Sequence, residues 1–471
     1  MSSSQDREGA GQVTVPLVEG ASVDDDELFI KPKMRTMGAV SLGVSQSIDN
    51  SEGGVSKTFF PQIANAFQLG NTELGLLNAL ASGARMAFGP IWAIAADRWG
   101  RKRILFVVTG LWGLWTVATG FAQSWAQLLI LYTIALIGTV AGEPILNGLL
   151  GSLYRRSERG KAFGLVRGVS AALGIVITPA VGQWGANPAG WRYAMFAMGG
   201  LSVLSGVLIL IFVHEPKQLA DDDREELKSD AGMFRFSDVP RLFKIRTLSL
   251  MALMLPLVTS LVLFGFMTQV WAKNLGYGVK NASYLFTVFS IGSTLSAFLG
   301  GWIGDQFVKR FGHKGRIILF QVYAATWGIL VGLTMYFANW WDPDVSAGTG
   351  QSVTNTPSGL YYVMVFLMGL IFSIGFSGCV LPMVSSVCPQ QLSATSFAVL
   401  FSLIQGALTT VYSLVVGKVA DVIGNLQLTL LVGVTGPYLL NALLWFVFYH
   451  TYEKDVHLQA RRTQLIEQGR F

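Results

Sequence analysis

The 471-residue sequence predicts an all-α polytopic membrane protein, with twelve transmembrane helices arranged as two six-helix bundles. Three observations carry this expectation. The chain is 52% hydrophobic and only 13% charged, where soluble domains carry about a quarter charged residues. Its apolar residues fall in repeated runs of about twenty, the length that crosses a hydrocarbon core as a helix. The second and eighth runs also end alike. One reads Ala93-x-x-x-Asp97 and then a basic run; the other reads Gly301-x-x-x-Asp305 and then Lys309-Arg310-Phe311-Gly312-His313-Lys314. The second half therefore echoes the first.

Residues 1–32 are polar, include Asp24-Asp25-Asp26-Glu27, and read as a disordered tail. The first span, near 36–66, is the least apolar, holding Asp49, Glu52, Lys57, Gly53-Gly54 and Pro61. A charge near the bilayer centre costs roughly 2.5–3.5 kcal/mol, so three in one span point to a bundle interior or a water-filled cavity. Asp49 and Glu52 are three apart and share a helix face. The second span, near 72–97, follows Asn71-Thr72, a helix-start signal, and carries Arg85 half-way along. Spans near 103–122, 126–153, 161–184 and 191–213 complete a first bundle over 33–213. The fourth contains Gly142-Glu143-Pro144 and the fifth contains Arg167. Residues 214–246 are hydrophilic and mark a domain boundary, ending in a short amphipathic helix over Phe234–Arg246. Six further spans, near 247–272, 282–306, 316–337, 359–386, 394–420 and 427–450, form the second bundle (247–450). A loop is expected at 338–358 and a polar tail at 451–471.

The loops after spans 2, 4 and 8 carry at least four Lys or Arg each, and the opposite loops few. The positive-inside rule places both termini and the central linker in the cytoplasm, in a plasma (inner) membrane. The net charge of +6 is then a topology signal rather than a nucleic-acid footprint. The polar N-terminus predicts no cleavable signal peptide. Cys379 and Cys388 lie in or beside one helix, with no metal-site spacing. His214, His313, His450 and His457 fall in or beside loops, and no H-E-x-x-H, CxxC or Walker loop occurs. No enzyme activity, cofactor or metal is expected. A monomer is.

The run Asp97-Arg98-x-Gly100-Arg101-Lys102-Arg103 resembles the signature loop of the major facilitator superfamily, with a weaker echo around Asp305 and Arg310. The resemblance covers roughly 36–450 and implies the twelve-helix major facilitator fold. It also implies a cytoplasmic gate made by Asp97, Arg98, Arg101, Lys102, Asp305 and Arg310. Ala93 departs from the usual glycine. Within the superfamily the chain resembles the Spinster-like branch: Glu52 lies nine residues before Pro61, Pro90 lies seven before Asp97, and Gly142-Glu143 matches a Gly-Glu pair. Leu136 stands where that branch has an arginine. Gly174-x-x-x-Thr178-Pro179-x-x-Gly182-Gln183 resembles an antiporter motif weakly.

Six candidate intramembrane ions remain: Asp49, Glu52, Lys57, Arg85, Glu143 and Arg167. All lie in the first half. The second half offers an apolar wall that includes Phe266, Trp271, Phe289, Tyr361, Phe376 and Phe401. A charged half facing an apolar half suits a secondary transporter of an amphipathic solute, coupled to protons. The Spinster-like resemblance points to a lysolipid; drug efflux or organic-anion transport are the alternatives, and a non-transporting receptor is the outside class. If a carboxylate carries the proton, Glu52→Gln or Glu143→Gln should uncouple solute movement from a pH gradient in liposomes. Unchanged coupling in both variants rejects that role.

Overall fold

The computed structural model describes residues 32–154, 156–214, 239–258, 260–342, 356–389 and 392–467. These form twelve consecutive helical rods. In the first half they are α1 (Pro32–Thr58, continued by Phe60–Phe67), α2 (Asn71–Trp99), α3 (Arg101–Gly120), α4 (Trp125–Leu150), α5 (Arg156–Gly182) and α6 (Gly190–Phe212). In the second half they are α7 (Arg246–Asn274), α8 (Gly278–Phe311), α9 (Lys314–Met335), α10 (Gly359–Val387), α11 (Thr395–Ile423) and α12 (Leu426–Arg462). Ten are long and apolar enough to cross a membrane by length and composition. The other two are α1 and α2, which carry the charges.

Local chemistry sets several rod ends. Ser124, Ser358 and Asn425 each accept a hydrogen bond from the third residue onward, at 3.3, 3.1 and 2.9 Å, which satisfies one orphan amide of the helix that follows. The two signature loops turn on glycines in the left-handed region, Gly100 at φ 97° and Gly312 at φ 63°, where a side chain would be strained. The repeat goes further. Arg101 at the start of α3 donates to the Gly148 carbonyl of α4 at 2.9 Å, and Arg316 at the start of α9 donates to the Gly378 carbonyl of α10 at 3.1 Å.

Several expectations change. The tail at 1–31, the linker at 215–238 and the loop at 343–355 lie outside the described residues. Of the amphipathic segment only a single turn, Val239–Leu242, is described before α7 begins. The polar C-terminal tail is helical as far as Glu467, continuous with the last helix. The apolar wall is core only in part, since Phe264, Tyr362, Phe366, Phe372 and Phe401 are half-buried. Phe266, Trp271 and Tyr361 are 0% exposed and Phe289 is 3% exposed. Trp271 donates to Tyr361 at 3.0 Å, and Tyr361 donates to the Thr334 carbonyl at 2.6 Å. Aromatic rings here satisfy each other, as amphipathic rings in a close-packed interior do. Phe376 is 45% exposed and 5.1 Å from the Phe401 ring.

The two halves meet along α2 and α11. Gly75 lies against the Ser413 carbonyl and Gly417 against Asn71, so the backbones touch where any side chain would separate them. At the end of this seam Asp421 of α11 caps α2 from the other half. Its carboxylate accepts from the Asn71 and Thr72 amides, the Asn71 side chain and the Thr72 hydroxyl, at 2.5–2.9 Å. At the same end, Gln183 of α5 donates to Tyr284 of α8 at 2.6 Å. Among the described residues the hydrogen bonds between the halves all lie at this end. At the opposite end, Arg98 is exposed and Trp99 is 62% exposed.

The seam is close-packed but not fully satisfied. Asn78 of α2 is 4% exposed with neither its Oδ1 nor its Nδ2 bonded, and Gly265 of α7 lies against it. Ser413 Oγ and Gln269 Oε1 are likewise buried without partners. An unsatisfied buried polar group costs about 1–3 kcal/mol, so the closed end is held below its attainable stability. Asn78→Leu, similar in size and apolar, should raise the melting temperature of the purified protein and slow turnover by favouring closure. A faster or unchanged turnover with a raised melting temperature would contradict this.

Candidate substrate and ion site

The first helix has two faces of opposite character. Asn50, Gly53, Gly54 and Lys57 recur at helical spacing along one of them. Asn50 is exposed, nothing lies against either glycine, and Lys57 is half-buried. The same helix also touches α7 and α8 of the other half. Arg85 of α2 is exposed. Glu143 of α4 and Arg167 of α5 are exposed as well, Arg167 beside the open Gly164 and Gly168.

The other face of α1 points into the first bundle. Asp49 of α1 and Thr109 of α3 both lie against Gly142 of α4; a Cβ at Gly142 would meet Asp49 Oδ2 at 2.5 Å. Glu52, 5% exposed, accepts a hydrogen bond from the Thr116 hydroxyl. Ser202 of α6 donates to the Thr109 carbonyl beside them. Asp49 Oδ1 and Glu52 Oε2 have no partner. Among the described residues neither acid has an ion pair.

The structure thus puts Asp49 and Glu52 on one face of α1 and Lys57 on the other, and among the described residues none of these, nor Arg85, has an ion pair. It does not bring Arg85 to Glu143: the two make no ion pair, so a direct competition of Arg85 for that carboxylate has no geometric support. Of the expected gate, the side chain of Asp97 lies outside the described residues. Arg101 and Lys102 donate to carbonyls of their own half, Gly148 and Leu210, each at 2.9 Å. Asp305 is 3.4 Å from Arg316, and Arg310 sits over the Phe311 ring at 5.4 Å. Asp421, Asn78, Thr116 and Tyr132 were not singled out by the sequence. Asn71-Thr72 read as a helix start, but nothing local shows that its cap comes from residue 421.

A twelve-rod bundle of two repeated halves, with charges within the first, suggests a transporter, and comparison with known proteins decides the family. Residues 44–410 match the Major Facilitator Superfamily. The chain belongs to this superfamily. It is an integral membrane protein and a secondary transporter, not an enzyme. It is 20% identical over 383 residues to the probable galactarate/D-glucarate transporter GudP of Escherichia coli, covering 75% of this chain and 77% of that protein. It is 22% identical over 349 residues to the hexuronate transporter of Bacillus subtilis, covering 73% and 80%. Among solved structures it superposes with a TM-score of 0.66 on a bacterial homologue of the human lysosomal transporter Spinster, captured inward-facing and unoccupied. That match has 16% identity and covers 92% of this chain and 98% of the other. The Spinster-like resemblance of the sequence therefore extends to the fold.

The contact between Asp49 and Gly142 allows a direct test. Gly142→Ala should force Asp49 aside and lower solute transport by roughly tenfold, the scale of about 1.4 kcal/mol, while the protein still folds and elutes as wild type. Full activity would show that the position of Asp49 is immaterial.

Proposed function

We propose that this superfamily member is a proton-coupled transporter of organic anions, resident in the plasma membrane with both termini in the cytoplasm. The observation that carries the reading is the sorting of charge by α1 and α2. In this reading two cations, Lys57 and Arg85, face the space between the halves, and the two buried acids sit behind them. An anion entering that space would be attracted by both cations. A guanidinium forks onto a carboxylate or sulfonate, and an ammonium adds a point charge. The names of two relatives, for galactarate/D-glucarate and hexuronate, support the same class, since each solute is a carboxylate.

Glu143 is the carboxylate best placed to take the coupling proton. It is exposed on α4, one residue from the glycine that seats Asp49. Protonation there would let the site close without an uncompensated charge. With basic loops facing the cytoplasm, the Asp421 end is external and the present state is open inward. Asp97, Arg98, Arg101, Lys102, Asp305 and Arg310 then belong to the end that closes in the alternate state. The amphipathic-lipid reading ranks second. Its apolar wall is partly core, and a fold likeness at 16% identity speaks for the fold alone.

The test is flux in proteoliposomes with a trapped pH dye. Sugar acids, lysolipids and cationic drugs are added one class at a time. Organic anions should drive proton movement. Lys57→Met and Arg85→Met should each raise the half-saturating anion concentration about tenfold or more, the loss of one hydrogen bond to a charged group. Flux with lysolipids only, unaffected by either variant, would replace this reading.

A further inference from the structure

We propose that the first bundle contains a binding site for a monovalent, oxygen-seeking cation, Na⁺ in the first instance, built from Glu52 and a ring of hydroxyls. Its cavity reaches the open face of the first helix at Gly53. A small cavity lies inside the bundle, lined by residues of α1, α3, α4 and α6, with room for one water-sized occupant. Glu52 and Ser56 come from α1, Thr116 and Thr119 from α3, and Tyr132 and Thr139 from α4. No basic residue lines it.

The hydrogen-bond directions decide what fits. The Thr116 hydroxyl donates to Glu52. Thr119 donates to the Trp115 carbonyl at 2.8 Å and Thr139 to the Leu136 carbonyl at 3.2 Å. Each of these protons is already committed, so the threonine oxygens can offer only lone pairs to the cavity. Glu52 Oε2 is unpartnered and accepts only when ionised. The Tyr132 hydroxyl, on a residue 4% exposed, is also unpartnered. An anion would meet a carboxylate and three committed threonine protons, with the Tyr132 hydroxyl left to donate. A hard cation would find oxygen donors of the kind such ions take in Glu52, Ser56, Thr116, Thr119, Tyr132 and Thr139, beside the apolar Ala135, Leu136 and Met195. One carboxylate lines the cavity, so a single positive charge neutralises Glu52 itself; Asp49, three residues earlier on the same helix, does not line it.

This site does not depend on the organic-anion reading, because it can be filled with no solute present. The experiment uses the full-length purified protein at pH 8 and constant ionic strength, in NaCl, KCl or N-methylglucamine chloride. Melting temperature and retention of ²²Na⁺ are measured together. Na⁺ should raise the melting temperature saturably, by roughly 2–4 °C at concentrations well above its dissociation constant, and ²²Na⁺ should be retained. Both effects should be lost in Glu52→Gln and strongly weakened in Tyr132→Phe, which keeps the ring and removes only the free hydroxyl. Should Glu52→Gln fail to fold, the wild-type salt series and Tyr132→Phe decide the matter. Identical melting in all three salts with no retained ²²Na⁺ would overturn the proposal and leave a protonated Glu52 or a water as occupant. Sodium binding that persists unchanged in both variants would place the ion elsewhere and also overturn it. Anion flux, measured separately, tests the transport reading on its own.

Discussion

Hydrocarbon offers a charged side chain no partner, and most of this structure follows from where the charges of α1 can go. A cation or a carboxylate must reach water, an opposite charge or hydrogen-bond donors. The first helix solves this by having two faces. Lys57 lies on the open one, and Asp49 and Glu52 lie on the one that meets α3, α4 and α6. The glycines at 53 and 54 keep the open face unobstructed, and Gly142 gives Asp49 its seat. Bundle packing in the first half is therefore organised around groups that an ordinary lipid-facing helix would not tolerate.

The seam between α2 and α11 answers a different need. Two halves that exchange access must close firmly enough to exclude water, yet reopen. Close backbone approach at Gly75 and Gly417 provides the fit, and the Asp421 cap joins four donors of α2 to a residue of the other half. Asn78, Ser413 and Gln269, buried without partners, work against that closure. A joint built from one strong polar clasp and several unsatisfied groups can move by breaking a few bonds rather than by dismantling a core.

The repeat shows how one scaffold serves two tasks. Arg101 and Arg316 make the same bond to the fourth helix of their halves, and Gly100 and Gly312 make the same turn. With the backbone thus matched, the halves differ in filling. The first holds the ionisable groups. The second holds interlocked aromatic rings, such as Phe264, Phe289 and Phe372 at 4.7–5.8 Å, which stiffen it without charge.

Much of the architecture was legible in the chain alone. Apolar runs of membrane length locate the rods, because a spanning helix must satisfy its backbone within one segment. The two signature loops reveal the repeat, because a left-handed turn demands glycine locally. The charges of α1, α2, α4 and α5 stand out because their cost in lipid is a property of each residue by itself. Their partnership is another matter. Whether Arg85 meets Glu143, whether Phe266 and Tyr361 line a space or fill a core, and which residue caps Asn71 all depend on helices distant in sequence. Residue 421 lies 350 positions from residue 71. Periodicity fixes which face a residue occupies, but the neighbour of that face is set by how the twelve rods are arranged, and that only the tertiary structure decided.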